Sequence, residues 1–193
     1  MKRANILTVA FAALFLAVFA SKAAAFNALN LNLIYSQKSM ENWQDDFHDL
    51  PAYGIEADLR LGLLPTHLLI GASSGRDSGK TVAKGYSIAI DTNHTEMYVG
   101  LRQYMDMFPV FTPYASVAIS TIKSEVSGSE SGVSTSGSAT ATGYLLNAGL
   151  LMRVGVFNIG IDYRTLTGSS YDLLGGAMSA NYNQAGIVLG VNF

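Results

Sequence analysis

The last twelve residues, Tyr182-Asn-Gln-Ala-Gly-Ile-Val-Leu-Gly-Val-Asn-Phe193, decide the fold class of this chain. Side chains of a β-strand point alternately to its two faces, so residues two apart share a face. One face of this segment is apolar, and the other is polar or small apart from Val188: the apolar residues are Ala185, Ile187, Leu189, Val191 and Phe193, and the others are Tyr182, Gln184, Gly186, Gly190 and Asn192. The segment predicts a strand that lies between an apolar environment and a polar or closely packed one.

The same alternation recurs seven times upstream of this strand. In each segment apolar residues occupy every second position, as Ile159, Ile161 and Tyr163 do, and mostly polar or small residues lie between them. The segments cover residues 29–35, 53–61, 67–74, 96–102, 114–120, 144–153 and 157–164. Together with the last strand they predict eight strands. No segment after residue 25 has the roughly 20-residue apolar run that a membrane helix requires.

Short and long connectors alternate between the eight predicted strands. The short connectors are residues 63–66, 105–112 and 154–156, and the long ones are 37–52, 75–94, 123–142 and 166–181. Outer-membrane barrels combine short periplasmic turns, long extracellular loops, apolar lipid-facing rows and an even number of strands. We therefore predict an all-β fold, an eight-stranded antiparallel transmembrane up-and-down β-barrel, with a soluble β-sandwich as the alternative.

One segment leaves the strand count open, because residues 85–91 also alternate. Counted as a separate strand, they would reverse the direction of every later strand and place the Ser/Gly-rich tract 124–143 in the periplasm. We interpret them instead as the upper part of a long fourth strand that projects beyond the membrane, with a bulge near Asn93. The Ser/Gly-rich tract is then an extracellular hairpin, and its low apolar content predicts that it is mobile or loosely paired.

The first 25 residues have the composition of a cleaved signal peptide. Lys2 and Arg3 precede an uncharged apolar stretch, residues 6–20, and Ala23-Ala24-Ala25 supplies the small residues of a cleavage site. A membrane anchor is the alternative, but the apolar stretch is short for a span of roughly 20 residues. The predicted domains are a signal peptide, residues 1–25, and an outer-membrane barrel domain, residues 26–193.

Composition excludes several classes of function. The signal segment holds three of the 12 basic residues and none of the 14 acidic ones, so the remainder carries a net charge of −5. An acidic balance argues against nucleic-acid partners. The chain contains no cysteine, which excludes disulfides and thiolate metal sites. No metal and no other cofactor is predicted: His48 lies in an acidic cluster, residues 45–49, whose spacing matches no established metal loop.

Eight ionisable residues fall on the inward-facing rows of the predicted strands: Glu56, Asp58, Arg60, Glu96, Arg102, Arg153, Asp162 and Arg164. Four of them are acidic and four are basic. An eight-stranded barrel has an interior only wide enough for side chains to fill, and a buried charge costs several kcal/mol unless it is paired. We therefore predict a salt-bridge network that closes the lumen. A narrow pore lined by these charges is the alternative.

Two short motifs and the last residue carry a resemblance to a known family. Residues 100–104, Gly-Leu-Arg-Gln-Tyr, and residues 112–115, Thr-Pro-Tyr-Ala, match a recurrent hairpin of small outer-membrane barrels, and the last residue is Phe193. The chain thus resembles the small eight-stranded outer-membrane β-barrel proteins, the OmpA/OmpX/OmpW-like group. The resemblance implies a place in the cell outer membrane, among its lipids and lipopolysaccharide. It also implies that the barrel assembly machinery recognises Phe193 as the assembly signal.

The group that the chain resembles includes structural, adhesive, pore-forming and enzymatic proteins, so the resemblance does not decide the function. The balanced lumen charge and the lack of a catalytic motif favour a non-enzymatic barrel with a structural or surface-interaction role. A surface ligand would contact the extracellular loops, and the loop around Trp43 is the predicted binding surface because it is richer in apolar residues than the Ser/Gly-rich tract. The alternatives are a small outer-membrane pore and, after it, a lipid A-modifying enzyme.

Overall fold

The structure is a computed structural model that describes residues 28–41, 49–62, 66–83, 86–105, 110–130, 133–173 and 176–193. These residues form ten strands: β1 (Leu29–Met40), β2 (Asp49–Arg60), β3 (Thr66–Ala83), β4 (Tyr86–Tyr104), β5 (Phe111–Glu130), β6 (Val133–Val154), β7 (Phe157–Thr167), β8 (Ser170–Leu173), β9 (Gly176–Ser179) and β10 (Tyr182–Asn192). No helix of the described part is long and apolar enough to cross a membrane. The predicted signal peptide, residues 1–25, lies outside the described residues, as do residues 42–48 with Trp43 and His48.

Eight of the strands close into one barrel. Their order around the ring is β1-β10-β7-β6-β5-β4-β3-β2, and neighbours are antiparallel. The ring closes where β1 pairs with β10, from Asn30 opposite Asn192 to Met40 opposite Tyr182. β8 and β9 form a separate hairpin in the connection between β7 and β10. The predicted eight-stranded antiparallel barrel is confirmed, and a sandwich is excluded because one sheet closes on itself instead of two sheets packing face to face.

The outward-facing rows are apolar around the whole barrel. Ile161 of β7 is 64% exposed, and a soluble protein rarely exposes so continuous an apolar surface. On each barrel strand the apolar row ends in the direction of the longer hairpins, and the next outward-facing residue is polar on every strand except β2, where it is Pro51. The last members of the row are Tyr35, Tyr53, Ala72, Met97, Ile119, Tyr144, Tyr163 and Ala185. We call this ring of eight residues the tyrosine level, because outer-membrane barrels place aromatic residues at the lipid–water boundary.

Among the described strands, the hairpins β3–β4 and β5–β6 extend farthest beyond the tyrosine level. β4 is continuous, so residues 86–91 are the upper part of the fourth strand, as predicted. The predicted bulge near Asn93 is wrong, because Asn93 pairs with Arg76 on β3 and with Glu125 on β5 in unbroken register. A bulge inserts an extra residue and interrupts the alternation of faces, and the alternation continues through this point without one.

The Ser/Gly-rich tract is a regular part of the β5–β6 hairpin. Residues 120–130 pair with residues 133–143 without interruption, so the tract is a hairpin as predicted, but its pairing is regular and not loose. β5 also pairs with β4 over most of this length. The physical reason is that the tract has apolar residues on its inward face: Ala141 is buried, and Val126 and Ala139 pack against the same buried cluster. Pairing with neighbouring strands satisfies the backbone groups.

A charge on the lipid-facing surface should destabilise the barrel, whereas the same charge beyond the tyrosine level should not. Arginine at the bilayer midplane costs about 2–4 kcal/mol in outer-membrane barrels, and we expect Ile161→Arg to lower the free energy of unfolding by that amount. The control is Thr140→Arg, at an exposed position of the projecting part of β6. This substitution should change the free energy of unfolding by less than about 0.5 kcal/mol. Urea titrations in lipid vesicles, with heat-modifiable gel migration as the sign of folding, measure both variants. Equal losses would contradict the assigned lipid-facing surface.

Candidate functional site: the charged barrel interior

The barrel interior contains most of the ionisable residues that the sequence places on inward-facing rows. Six of the eight are at most 3% exposed: Glu56, Asp58, Glu96, Arg102, Asp162 and Arg164. The other two, Arg60 and Arg153, lie near the short turns and are partly exposed. The guanidinium of Arg153 lies 5.5 Å from the centre of the Tyr104 ring.

Arg102 of β4 holds two carboxylates of β2 in the interior of the barrel. Its Nη2 lies 2.9 Å from Glu56 Oε2, and its Nη1 lies 2.9 Å from Asp58 Oδ2. Asp58 also accepts a hydrogen bond of 2.6 Å from the Tyr104 hydroxyl. The guanidinium lies 4.5 Å from the centre of the Tyr114 ring, which adds a cation–π contact. These contacts offset the hydration that the three charged groups lose on burial.

Arg164 of β7 extends the network across the barrel. Its Nη2 lies 3.2 Å from Glu56 Oε1, and its Nε lies 2.7 Å from Asp162 Oδ1. Its Nη1 donates a hydrogen bond of 2.9 Å to the Tyr98 hydroxyl, which donates in turn to Glu56 Oε1 at 2.8 Å. Glu56 therefore lies between the two arginines, and one carboxylate joins β2, β4 and β7.

A second cluster, nearer the long hairpins, contains a cation that the sequence analysis does not identify. Lys38 of β1 is buried, and its Nζ lies 2.8 Å from Glu96 Oε2 of β4. Glu96 also accepts hydrogen bonds of 2.6 Å from the hydroxyls of Ser120 and Tyr182. The predicted connector 37–52 includes Lys38, but the alternation of the first strand, continued by three residues, places it on the inward-facing row. That continued alternation is the signal that could have found it.

Two glycines make room for tyrosines that complete the network. Gly71 lies opposite Tyr98, and Gly149 lies opposite Tyr114. A Cβ atom at Gly71 would lie 2.3 Å from the Tyr98 ring, and one at Gly149 would lie 2.4 Å from the Tyr114 ring. Each ring lies against the barrel wall because its partner has no side chain. In that position the Tyr114 hydroxyl donates to Asp162 at 2.6 Å.

Apolar side chains fill the interior on both sides of the charged residues. Toward the long hairpins they include Met40, Leu50, Ile122, Leu145, Leu166, Tyr171 and Ala180. Toward the short turns they are Ile34, Tyr104, Tyr114, Leu151 and Val188. β8 contributes Tyr171 to the first layer, so this strand packs against the side chains at the end of the barrel nearest the long hairpins. Side chains thus occupy the interior, as the width of an eight-stranded barrel requires.

The two histidines of the described residues lie in different surroundings. His67 packs edge-on against the Tyr104 ring at 4.8 Å. His94, beyond the tyrosine level, has its Nδ1 2.8 Å from Ser124 Oγ on the neighbouring strand, a pairing that a search along single strands misses. Burial, together with the charge of Lys38, lowers the pKa of His94 to about 4, and a general base works best with a pKa near the operating pH. The described residues also contain no group of three His, Cys, Asp or Glu side chains placed to hold a metal ion.

Removal of Arg102 should destabilise the barrel strongly, because Glu56 and Asp58 would lose the cation that they share. Breaking a buried ion pair by removing one partner costs about 3–5 kcal/mol, which is the loss of unfolding free energy that we expect for Arg102→Ala. The control is Lys123→Ala, which breaks the exposed pair of Lys123 with Glu125, 2.6 Å apart; such pairs contribute at most about 1 kcal/mol. Urea unfolding in lipid vesicles measures both losses. If the two variants lost similar amounts, the network would not be the buried, mutually dependent set described.

Several solved structures share this barrel fold. The attachment invasion locus protein Ail of Yersinia pestis, in complex with the heparin analogue sucrose octasulfate, matches with a TM-score of 0.55 at 12% identity, over 86% of this chain and 97% of that chain. Neisserial surface protein A gives a TM-score of 0.53 at 11% identity, over 86% and 96%. A major outer membrane protein of Thermus thermophilus gives 0.50 at 6% identity, over 86% and 100%. At these identities the likeness concerns the fold alone.

No curated protein sequence matches the chain significantly. The family described as "Outer membrane protein beta-barrel domain" matches residues 8–193, which include every barrel strand and the whole charged interior. The predicted resemblance and the predicted place in the outer membrane are therefore confirmed. With its closed ring of eight antiparallel strands and its lipid-facing apolar rows, the chain belongs to the outer membrane protein β-barrel domain family.

Proposed function

We propose that this protein is a non-enzymatic outer-membrane barrel that contributes to envelope structure and to contacts at the cell surface. The observation that supports the proposal is an interior filled by paired charges and apolar side chains, next to a projecting sheet. Export through the signal peptide, residues 1–25, and insertion by the barrel assembly machinery are part of the same proposal. Phe193, the proposed assembly signal, lies in the barrel seam, where its N–H donates to the Leu29 carbonyl at 2.9 Å.

The charges of the lumen are bound to one another, which supports a closed barrel. Each buried carboxylate of the network lies within 3.2 Å of a cationic nitrogen; the four are Glu56, Asp58, Glu96 and Asp162. A selective pore is normally lined by a ring of like charges along a water-filled path. Here opposite charges meet, and apolar layers lie on both sides of them. A small pore is therefore the less supported function.

The projecting sheet is the surface best placed for contacts outside the membrane. It consists of the parts of β3, β4, β5 and β6 beyond the tyrosine level, paired side by side. In the described barrel, β3 pairs with β2 only as far as Gly75, and β6 pairs with β7 only from Tyr144. Long connections of outer-membrane barrels face the cell exterior, and open strand edges can pair with extended segments of another protein. The loop around Trp43, outside the described residues, is a second proposed contact surface.

A closed lumen predicts that the purified protein does not conduct ions. In planar bilayers, single-channel recording should show no large and stable conductance for the wild type. Glu56→Gln should also stay silent, because the apolar layers on both sides of the network are unchanged; heat-modifiable migration checks that this variant is folded. Stable wild-type conductance that changes on Glu56→Gln would establish the pore instead.

A shortened projecting sheet should remove surface contacts and leave the barrel intact. Glu125 and Ser138 are paired neighbours, so Asn-Gly in place of residues 126–137 joins them through a two-residue turn that suits a hairpin. In a deletion strain, the wild-type protein should restore detergent resistance and cell–cell aggregation. The shortened protein should restore detergent resistance only. Equal aggregation by the two proteins would rule out a contact role for this hairpin, and failure of both to restore resistance would rule out the structural role.

A further inference from the structure

The projecting part of β6 is an edge strand with one open side. On one side, residues 133–143 pair with β5. On the other side, pairing with β7 begins only at Tyr144. No strand of the described residues pairs with residues 133–143 on that second side, since β8 pairs only with β9. The projecting sheet therefore ends at β6 in an open edge.

The backbone groups at this open edge belong to the even-numbered residues of β6. Arg153 donates its N–H to the Val110 carbonyl, on the side of β5. Successive residues of an antiparallel strand direct their N–H and C=O groups to alternate sides, and the register of β6 with β5 is unbroken. The residues that direct these groups to the open side are thus Ser134, Ser136, Ser138, Thr140 and Thr142. They form a row about 30 Å long, and such a row is a template for another strand.

The edge of β6 lacks the features that normally keep strand edges from pairing with each other. Natural edge strands are protected by charged side chains, by proline or by a bulge. Residues 133–143 contain no charged residue and no proline, and their register with β5 contains no bulge. The opposite edge of the projecting sheet, β3 beyond Gly75, carries Arg76, Asp77 and Lys80. Charge therefore protects one edge of the sheet and leaves the other open to pairing.

We propose that the open edge of β6 pairs with the same edge of a second copy of this chain, carried by a facing outer membrane. The inference rests on the proposed function, because the long hairpins must face the cell exterior. On facing membranes the two β6 strands run in opposite directions, and a two-fold axis relates the two identical edges. Within one membrane the two strands would be parallel, and parallel pairing is less stable per residue. A contact centred on Ser138 joins the two projecting sheets into one sheet of eight strands.

The charges of the projecting sheet do not oppose this contact. The exposed outward-facing side chains along the edge are uncharged, at Ser136, Ser138 and Thr140. On β5, Lys123 and Glu125 neutralise each other at 2.6 Å. In the contact, the β5 strands of the two copies are three strand spacings apart, about 14 Å, which exceeds the screening length of about 8 Å at physiological ionic strength. A second copy is also the partner that supplies an equally long and equally unprotected edge.

Aggregation of cells labelled in two colours tests the partner. The contact holds the two membranes at most about 40 Å apart, so the deletion strain used carries lipopolysaccharide without O-antigen. Wild-type cells should aggregate with each other and exclude cells without the protein. Ser138→Lys and Ser138→Glu should each abolish aggregation, because identical charges would lie directly opposite each other. A mixture of Ser138→Lys cells with Ser138→Glu cells should form two-coloured aggregates again. The control is Ser78→Lys, at an exposed serine of β3, which should aggregate like the wild type.

Cross-linking in the aggregates tests the edge itself. The chain contains no cysteine, so Ser138→Cys places a single thiol near the two-fold axis, where paired Cα atoms lie about 5.5 Å apart, within reach of a disulfide. Under mild oxidation Ser138→Cys should form a covalent dimer, and Ser78→Cys should not. Heat-modifiable migration checks that every variant is folded.

The outcomes separate this inference from the proposed function. Wild-type cells that recruit cells without the protein as readily as each other would overturn the second copy as partner and leave the contact role standing. Wild-type cells that do not aggregate at all would overturn the contact role as well. Ser138→Lys cells that still aggregate with each other, or no covalent dimer from any of Ser136→Cys, Ser138→Cys and Thr140→Cys, would overturn the edge of β6 as the contact.

Discussion

The closure of eight strands into one ring governs the rest of this structure. At membrane depth each strand is hydrogen-bonded on both sides, so the backbone presents no unpaired polar groups to lipid. Closure also leaves each side chain only two directions, toward the lipid or into an interior that side chains must fill. The pairing of β1 with β10, with Leu33 opposite Leu189, completes the ring. From that pairing follow both the apolar outer surface and the burial of every inward-facing charge at the centre of the barrel.

Closure of the ring buries ionised side chains in the barrel interior, where each of them needs an oppositely charged partner. Lys38, Arg102 and Arg164 come from three strands and meet carboxylates of β2, β4 and β7. In such surroundings each ion is stable only because its partner is present, so the network acts as a set of cross-links between strands. The groups that could attract ions are bound to each other, which supports the proposed structural role and the proposal that contacts with other molecules lie on the outer surfaces. Among the described residues, the projecting sheet is an outer surface with a defined shape.

The sequence pattern is most informative where lipid lies on one side of a strand. β7 and β10 have clear alternation, with Val188 as the one apolar exception, and their predicted and observed limits differ by at most three residues. Beyond the tyrosine level, water replaces lipid and the outward-facing residues become polar as well. The contrast between the two faces then disappears although the strand continues. For this reason the sequence alone predicts a loose tract at residues 124–143 and a connector that includes Lys38, where the structure has paired strands.

The sequence by itself determined the number of barrel strands, the face of each strand that meets lipid and most of the ionisable residues that turn inward. These are local properties, because the alternation of side chains along a strand depends only on that strand. Only the tertiary structure decided which groups meet: Arg102 with Glu56 and Asp58, His94 with Ser124, and Gly71 beneath Tyr98. Contacts across the lumen and between strands depend on the register and curvature of the ring. Register and curvature arise from the hydrogen bonding of all eight strands together, so no single segment encodes them.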